Sequence, residues 1–481
     1  MNAIVTTDAS TIGARVDGLP SDGTGRRLVV TDPADDSLVT DVACAAPDDV
    51  AAAVEVARHR AREWARTSPA GRAAAVSIAA ARVQAHAEEL AHLVTREMGK
   101  PLADSRGGVE AAVALLRQYA EFGPLHRGRS LAGERGATDL MVHEPRGVVA
   151  AITPWNDPVA VSCGLIGAAL VTGNTVVYKP SERTPGTGRL LADILNGVLP
   201  EGVLNLLLGG GDVGAALAEQ PVDVVAHVGS TKTGRAIARA GAHTGARVLL
   251  ENGGSDPLIV DDNVDPEWAG EQAALGAFAN AGQICVAVER IYVLSGVADA
   301  FITSLTHRAA ALRVGPGLDP TTQLGPLVDR RLRGEVHTQV CEAVGAGATA
   351  LCGGQVPDGP GSFYPATVLI GCTDEMTLMR EETFGPVAPV MVVESFDEAL
   401  DRAAQSPYGL AATVLTSSMT HAQRAWRTLD VGTVKINDVF GGAPGGAAHP
   451  RRGSGQGYGY GPELLDELTA TKVVHIAAHE A

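Results

Sequence analysis

The sequence contains no apolar run approaching the roughly 20 residues that a bilayer span requires, so no membrane partner is expected. It also lacks an excess of positive charge: 38 Lys and Arg face 55 Asp and Glu, for a formal net charge of −17. Phosphate recognition needs clustered cations, and pairs such as Arg26-Arg27 and Arg330-Arg331 form no stripe, so nucleic acid is excluded as a partner. None of the six cysteines (Cys44, Cys163, Cys285, Cys341, Cys352, Cys372) forms a C-x-x-C pair, and no His spacing suits zinc. Reduced thiols and no metal are therefore expected. The segment Met1 to Asp8 has neither the basic nor the apolar part of a secretory leader. A cytoplasmic protein is expected. There is no internal repeat.

What remains is ordinary globular composition, 45% hydrophobic and 19% charged, over 481 residues, enough for two or more lobes. Val50, Val54, Ala57, Ala61 and Trp64 recur at helical spacing. A second Ala-rich helix and a third through Glu110–Tyr119 follow. Short β-branched runs then alternate with helical stretches: Val148–Ile152, Thr175–Tyr178, Val203–Leu208 and Val222–Val228, with Lys232–Ala242 helical. This order predicts an α/β fold with a covered parallel sheet. The alternation restarts after Gly253-Gly254, which predicts a second α/β lobe with a helix over Pro266–Ala279 and strands at Arg290–Leu294, Val387–Val393 and Ala412–Leu415. Arg127–Glu144 is expected as a protruding hairpin, Thr471–Ile476 as a lone terminal strand, and Gly453–Gly461 as a loop. Open strand edges suggest subunit contacts.

Four clusters carry candidate chemistry. Cys285 follows Gly-Gln-Ile after a predicted helix, where a thiolate could be presented, although buried structural cysteines outnumber nucleophiles roughly tenfold. Asn156, in Thr-Pro-Trp-Asn-Asp-Pro, falls at the C-terminal end of a strand, and its amide is a good donor to an oxyanion; a loop-turning Asn is the plain alternative. Glu251 precedes Asn-Gly-Gly, where a carboxylate has room to swing as a general base; a surface Glu at a strand end is as common. Lys179 and Glu182 could hold the hydroxyls of an adenosine ribose, with Gly210 and Gly214 further on, and Gly229-Ser230 offers backbone N–H groups to a phosphate.

Taken together and in order, these pieces resemble the aldehyde dehydrogenase superfamily. The matches are Arg96-Glu-Met-Gly-Lys-Pro101, Pro154-Trp-Asn156, Lys179-Pro-Ser-Glu182, Gly229-Ser-Thr231, Glu251 before Gly253-Gly254, Gly-Gln-Ile-Cys285 and Glu381-Glu382-Thr-Phe384-Gly-Pro386. The resemblance implies NAD-dependent oxidation of an aldehyde to its acid, with Cys285 as nucleophile, Glu251 as base and Asn156 in the oxyanion hole. It implies Lys179 and Glu182 on the adenosine ribose, Ser230 on the pyrophosphate, Glu382 on the nicotinamide ribose, and Phe384 and Trp155 as walls of the cofactor cleft. It implies a discontinuous, Rossmann-like NAD-binding domain (1–126 and 146–253), a catalytic domain (254–447) and a small β oligomerisation element (127–145 and 470–481) in a homodimer or homotetramer. A CoA-acylating enzyme and an inactive member of the fold are the alternatives; Glu251 argues against the first, and the presence of Cys285, Asn156 and Glu251 together against the second.

The sequence departs from the family pattern at His227-Val228, Asn252, Tyr458 and Ala443-Pro-Gly-Gly446. The resemblance places Asp157, Val161, Gly164, Ala279 and Phe440 along the substrate tunnel. Small residues there predict a wide tunnel unless the Phe440–Arg452 loop fills it. Asp157 is expected to be solvated, to pair with His449, Arg451 or Arg452, to face the substrate, or to cap the next helix.

Overall fold

The computed structural model describes residues 13–23, 26–441, 446–447 and 449–477. The leader reading at Met1 to Asp8 and the departure at residues 443–445 lie outside them. Among the described residues no helix is long and apolar enough to cross a membrane.

The β-branched runs form the centre of an eight-stranded sheet. Val148–Ile152, Thr175–Lys179, Leu204–Leu207, Val224–Val228 and Arg247–Glu251 are mutually parallel. In space they run Leu204–Leu207, Thr175–Lys179, Val148–Ile152, Val224–Val228, Arg247–Glu251. The chain winds outward through three strands, returns to the middle and winds the other way. The direction reverses between the C-terminal ends of Val148–Ile152 and Val224–Val228, the crevice in which open α/β sheets bind ligands. Every residue of these two strands is buried, as expected where helices cover both faces. The helix Pro158–Val171 is buried at all 14 positions. Gly167 lets it approach the helix Leu102–Phe122, because a Cβ there would lie 2.9 Å from Leu116 Cδ2.

A seven-stranded sheet follows, ordered Thr349–Cys352, Thr367–Ile370, Val387–Val393, Val288–Leu294, Asp256–Val260, Ala411–Leu415, Thr433–Ile436. All its pairings but the first are parallel. The α/β expectation holds.

Three local expectations change. Four helices, Pro47–Arg66, Pro69–Ala85, Ala87–Met98 and Leu102–Phe122, occupy the stretch in which periodicity predicts three. Breaks at His86 and at left-handed Gly99 (φ 89°) divide it. The terminal strand Thr469–Ala477 is not a lone strand but joins the hairpin of Arg129–Leu131 and Ala137–Pro145, the grouping that the resemblance implies. They form one sheet, paired from Thr469↔Pro145 to Ala477↔Ala137. Its outer edges stay open, and Val473 and Ile476 are exposed. Finally, Gly453–Gly461 is not a free loop: Gly455–Gln456 pairs antiparallel with Leu250 and Glu251.

Candidate active site

Cys285 follows a strained turn. The helix Pro266–Phe278 stops at Ala279, and Asn280, Ala281 and Gly282 are all left-handed (φ 50°, 56°, 73°). Such geometry costs on the order of 1–3 kcal/mol at a non-glycine residue and persists only where the surroundings enforce it. A Cβ at Gly282 would lie 2.1 Å from the Gly385 carbonyl oxygen, so only glycine fits. Gln283 supplies the enforcement: its amide donates to Asn280 O (3.0 Å), and its Oε1 accepts from Val328 N–H (2.9 Å). Its carbonyl accepts from the side-chain amides of Asn280 (3.2 Å) and Asn156 (3.0 Å). Asn156 thus reaches from the end of Val148–Ile152, at the reversal crevice, to within two residues of the cysteine.

The half-buried Cys285 thiol is pushed up to about 12, by burial first and then by the charges of Glu251, Asp256 and Glu382. A resting thiolate, the form expected from the sequence, is therefore disfavoured, and a base is needed. Glu251 ends the strand Arg247–Glu251, and burial pushes its carboxyl up to about 7. Asp256, likewise pushed up to about 7 by burial, accepts from Ala411 N–H (3.0 Å). Lys435 and Arg290 both draw the Asp256 carboxyl back down. Lys435, lowered by burial, is drawn back up by Asp256 and Cys285. Its Nζ donates to Val439 O (2.6 Å) and lies 5.6 Å from the centre of the Phe440 ring.

Beside the thiol, Trp155 and Phe384 meet edge to face with ring centres 5.5 Å apart. Arg183 sits 4.9 Å over the Trp155 ring and pairs with Asp329 at 2.7 Å. Glu382 accepts from Gly254 N–H (3.2 Å) and presses on Gly253, where a Cβ would lie 2.2 Å from its carboxylate. Burial pushes it up to about 7. Left-handed Phe384 (φ 52°) is held by Glu289, a buried carboxylate that accepts from Thr383 N–H (3.0 Å) and Phe384 N–H (2.8 Å). Sequence reasoning missed Glu289; its position after Cys285 carries no local pattern.

The elements named for a dinucleotide fit one. Buried Lys179 stands 3.7 Å from exposed Glu182, with its methylenes against Gly214. Gly210 N-caps the helix Gly211–Ala218, and a Cβ added at Gly211 would meet nothing within 4 Å, leaving room beside the backbone. Ser230 N-caps Thr231–Thr244, accepting from Thr233 N–H, and is itself exposed. An acid for ribose hydroxyls, a helix N-terminus for phosphate and an aromatic pair for a flat ring lie around one crevice. The departure His227 is buried there, brought down to about 4 by burial and hence neutral, 3.3 Å from Ile152 O.

The substrate side differs from expectation. Asp157 approaches neither His449, which packs on Tyr458, nor Arg451 and Arg452, which both bind Asp430. It lies 3.6 Å from Lys100 Nζ and against Gly108. Although Asp157 occupies the N-cap position of Pro158–Val171, its side chain makes no capping bond. Val161 is buried, and Ala279 and Phe440 are half-buried. The space above Gly164 is not empty: a Cβ there would lie 3.2 Å from Tyr460 Cε1. Among the described residues, Tyr460 and Leu115 lie over it. Asn252, another departure, anchors this segment by donating its side-chain amide to Gly453 O (3.1 Å) and its backbone N–H to Ser454 O (2.9 Å).

The pattern of the aldehyde dehydrogenase family matches residues 20–474. The chain is 38% identical over 430 residues to betaine aldehyde dehydrogenase of Cereibacter sphaeroides, covering 88% of each chain. It is 34% identical over 417 residues to the NADP(+) succinate-semialdehyde dehydrogenase of Escherichia coli, covering 86% of each. The crystal structure of a betaine aldehyde dehydrogenase from Staphylococcus aureus with NAD+ superimposes with a TM-score of 0.94 at 31% identity, over 98% of each chain. The protein belongs to the aldehyde dehydrogenase family.

Proposed function

We propose that the protein oxidises an aldehyde to its carboxylic acid with NAD through a thioester on Cys285. The observation that carries this reading is the Asn156 amide bound to the Gln283 carbonyl two residues before Cys285, whose thiol feels the charge of buried Glu251, a carboxyl that burial pushes up to about 7. Glu251 takes the Cys285 proton, and Sγ bonds to the aldehyde carbon. The carbonyl oxygen becomes an oxyanion, which the second N–H of Asn156 and the Cys285 backbone N–H stabilise; one such donor is worth on the order of a hundredfold in rate. When bound, NAD supplies the acceptor for the aldehyde hydrogen and its two electrons. Glu251 releases the first proton to solvent and, as a carboxylate again, takes a proton from water; the resulting hydroxide adds to the thioester carbon, and the Cys285 sulfur leaves as a thiolate that recovers a proton from Glu251. A water-activating carboxyl at this place favours hydrolysis over transfer to CoA.

In this reading Lys179 and Glu182 hold the adenosine ribose. Gly210, Gly214, Gly229 and Ser230 border the phosphates, and Glu382, Phe384 and Trp155 hold the nicotinamide end. Asp157, Val161, Gly164, Ala279 and Phe440 line the substrate side, with Tyr460 added. Residues 1–126 and 146–253 form the NAD-binding domain and 254–447 the catalytic domain. The element of 127–145 and 470–481, whose sheet is described to Ala477, joins a cytoplasmic homodimer or homotetramer through its open edges.

Replacing Cys285 tests the reading. Cys285→Ala is expected to form no NADH with any of a diverse aldehyde panel while still binding NAD. Turnover retained in Cys285→Ala overturns it.

A further inference from the structure

We propose that His126, His143 and Asp466 form a binding site for a divalent transition-metal cation, of the zinc or nickel kind, that fastens the three-stranded sheet to the body of the protein. The residues come from three separate pieces of chain. His126 follows the single turn Gly123–Leu125 at the end of Leu102–Phe122. His143 lies on the strand Ala137–Pro145. Asp466 lies in the short helix Glu463–Glu467, just before the strand Thr469–Ala477. Separations of 17 and 323 residues leave no signature in the sequence.

The donor atoms of all three lie within 4.8 Å of one another. His126 Nε2 is 2.8 Å from Asp466 Oδ1, and the two imidazoles stack with centres 4.2 Å apart at 29°. A histidine–aspartate pair alone accounts for the first contact. It does not account for a second imidazole laid on the first, an arrangement that two protons would split by repulsion and one metal ion would unite. Neighbouring ligands in a tetrahedral shell with bonds of about 2.0–2.2 Å stand about 3.3 Å apart, so a tilt of the rings closes the set. Two imidazoles and one carboxylate suit zinc, nickel or cobalt and not calcium or magnesium, which take oxygen ligands. Asp466 is exposed, so the set is open to an ion from solvent.

The test is a titration of tag-free, EDTA-treated, full-length protein with NiCl2 by isothermal calorimetry. The exposed Cys341 lies 3.4 Å from His337 Nε2 and offers a competing pair, so parent and variants all carry Cys341→Ser. One nickel ion per chain is expected in the parent, with affinity weakened at least tenfold in His143→Ala and Asp466→Asn. Aldehyde oxidation by the metal-free variants should match the parent. Nickel should raise the unfolding temperature of the parent alone, because a ligand that binds only the folded state stabilises it. No binding by the parent, or equal binding by His143→Ala, overturns the proposal. Cobalt added to the parent gives an answer that does not depend on the variants folding. Visible bands without thiolate charge transfer support the site, and a thiolate band overturns it.

Discussion

Gly459 stands where any side chain would collide with the Glu251 carboxylate: a Cβ at this position would lie 2.1 Å from Oε1. Gly459→Ala is therefore expected to displace the base without touching the thiol. Steady-state turnover should fall by about tenfold or more, since general-base catalysis supplies roughly 10²–10⁴ in rate. Stopped-flow NADH formation checks it: the burst and the steady state should both slow, because Glu251 serves the thiol as well as the water, and an unchanged steady state refutes the prediction.

The pH profile should report the same carboxyl. Burial raises Glu251 to about 7, and it acts as a base only when deprotonated. kcat/KM is expected to rise with pH through about 7 and level off above it. Glu382 and Asp256 ionise in the same range, so the profile of Glu251→Gln decides. Loss of the ionisation together with activity assigns it to Glu251; an unchanged profile assigns it elsewhere.

Glu289 holds the loop that carries Glu382 and Phe384 through two backbone N–H bonds. Such a bond is worth about 0.5–1.5 kcal/mol, and leaving a buried N–H unpaired costs about 1–3 kcal/mol. Glu289→Ala should raise KM for NAD about tenfold or more while changing kcat less. Glu289→Gln, which keeps one acceptor oxygen, should recover part of the loss. Equal effects on KM and kcat in both variants would refute a positioning role.

Exposed Glu182, 3.7 Å from Lys179 Nζ, should favour NAD over NADP by repelling a 2′-phosphate. Lys179 tempers that repulsion, so a moderate preference is expected. Glu182→Gln should narrow the ratio of kcat/KM values, measured with the two cofactors and one aldehyde. An unaltered ratio would place the discrimination elsewhere.

Tyr460 covers Gly164, so Tyr460→Ala should improve kcat/KM for bulky aldehydes relative to short ones. Tyr460→Phe should leave that ratio near the parent's if volume decides, and lower it for polar aldehydes if the phenol contributes. Measuring both classes of aldehyde with both variants separates the two.

The parallel strands were legible because they are buried on both faces and composed as continuous apolar runs, as at Val148–Ile152. Cys285, Asn156 and Glu251 were legible as a set because each ends or follows a regular element in a short motif. What escaped was made by tertiary pairing. Glycines and tyrosines at 453–461 suggest a loop, yet Gly455–Gln456 is a strand because Leu250 and Glu251 offer it an edge. Lys100 was quoted as part of a motif, but its pairing with Asp157, 57 positions later, leaves no periodic trace. Glu289 resembles any carboxylate in a strand until the N–H groups of Thr383 and Phe384 arrive above it.

The edge strand Gly455–Gln456 also orders events during synthesis. Domains generally fold as units, N-terminal parts first, as the chain is made. Here the sheet bearing Glu251 accepts its last strand, and the base its facing Gly459 and Tyr460, from residues 455–460 of 481. A nascent chain can complete the thiol turn at Asn280–Gly282 long before it can complete the surroundings of the base. The newborn protein thus holds its nucleophile well before it holds a finished site, and a ribosome stalled short of residue 455 would carry a thiol with no complete hydrolytic partner.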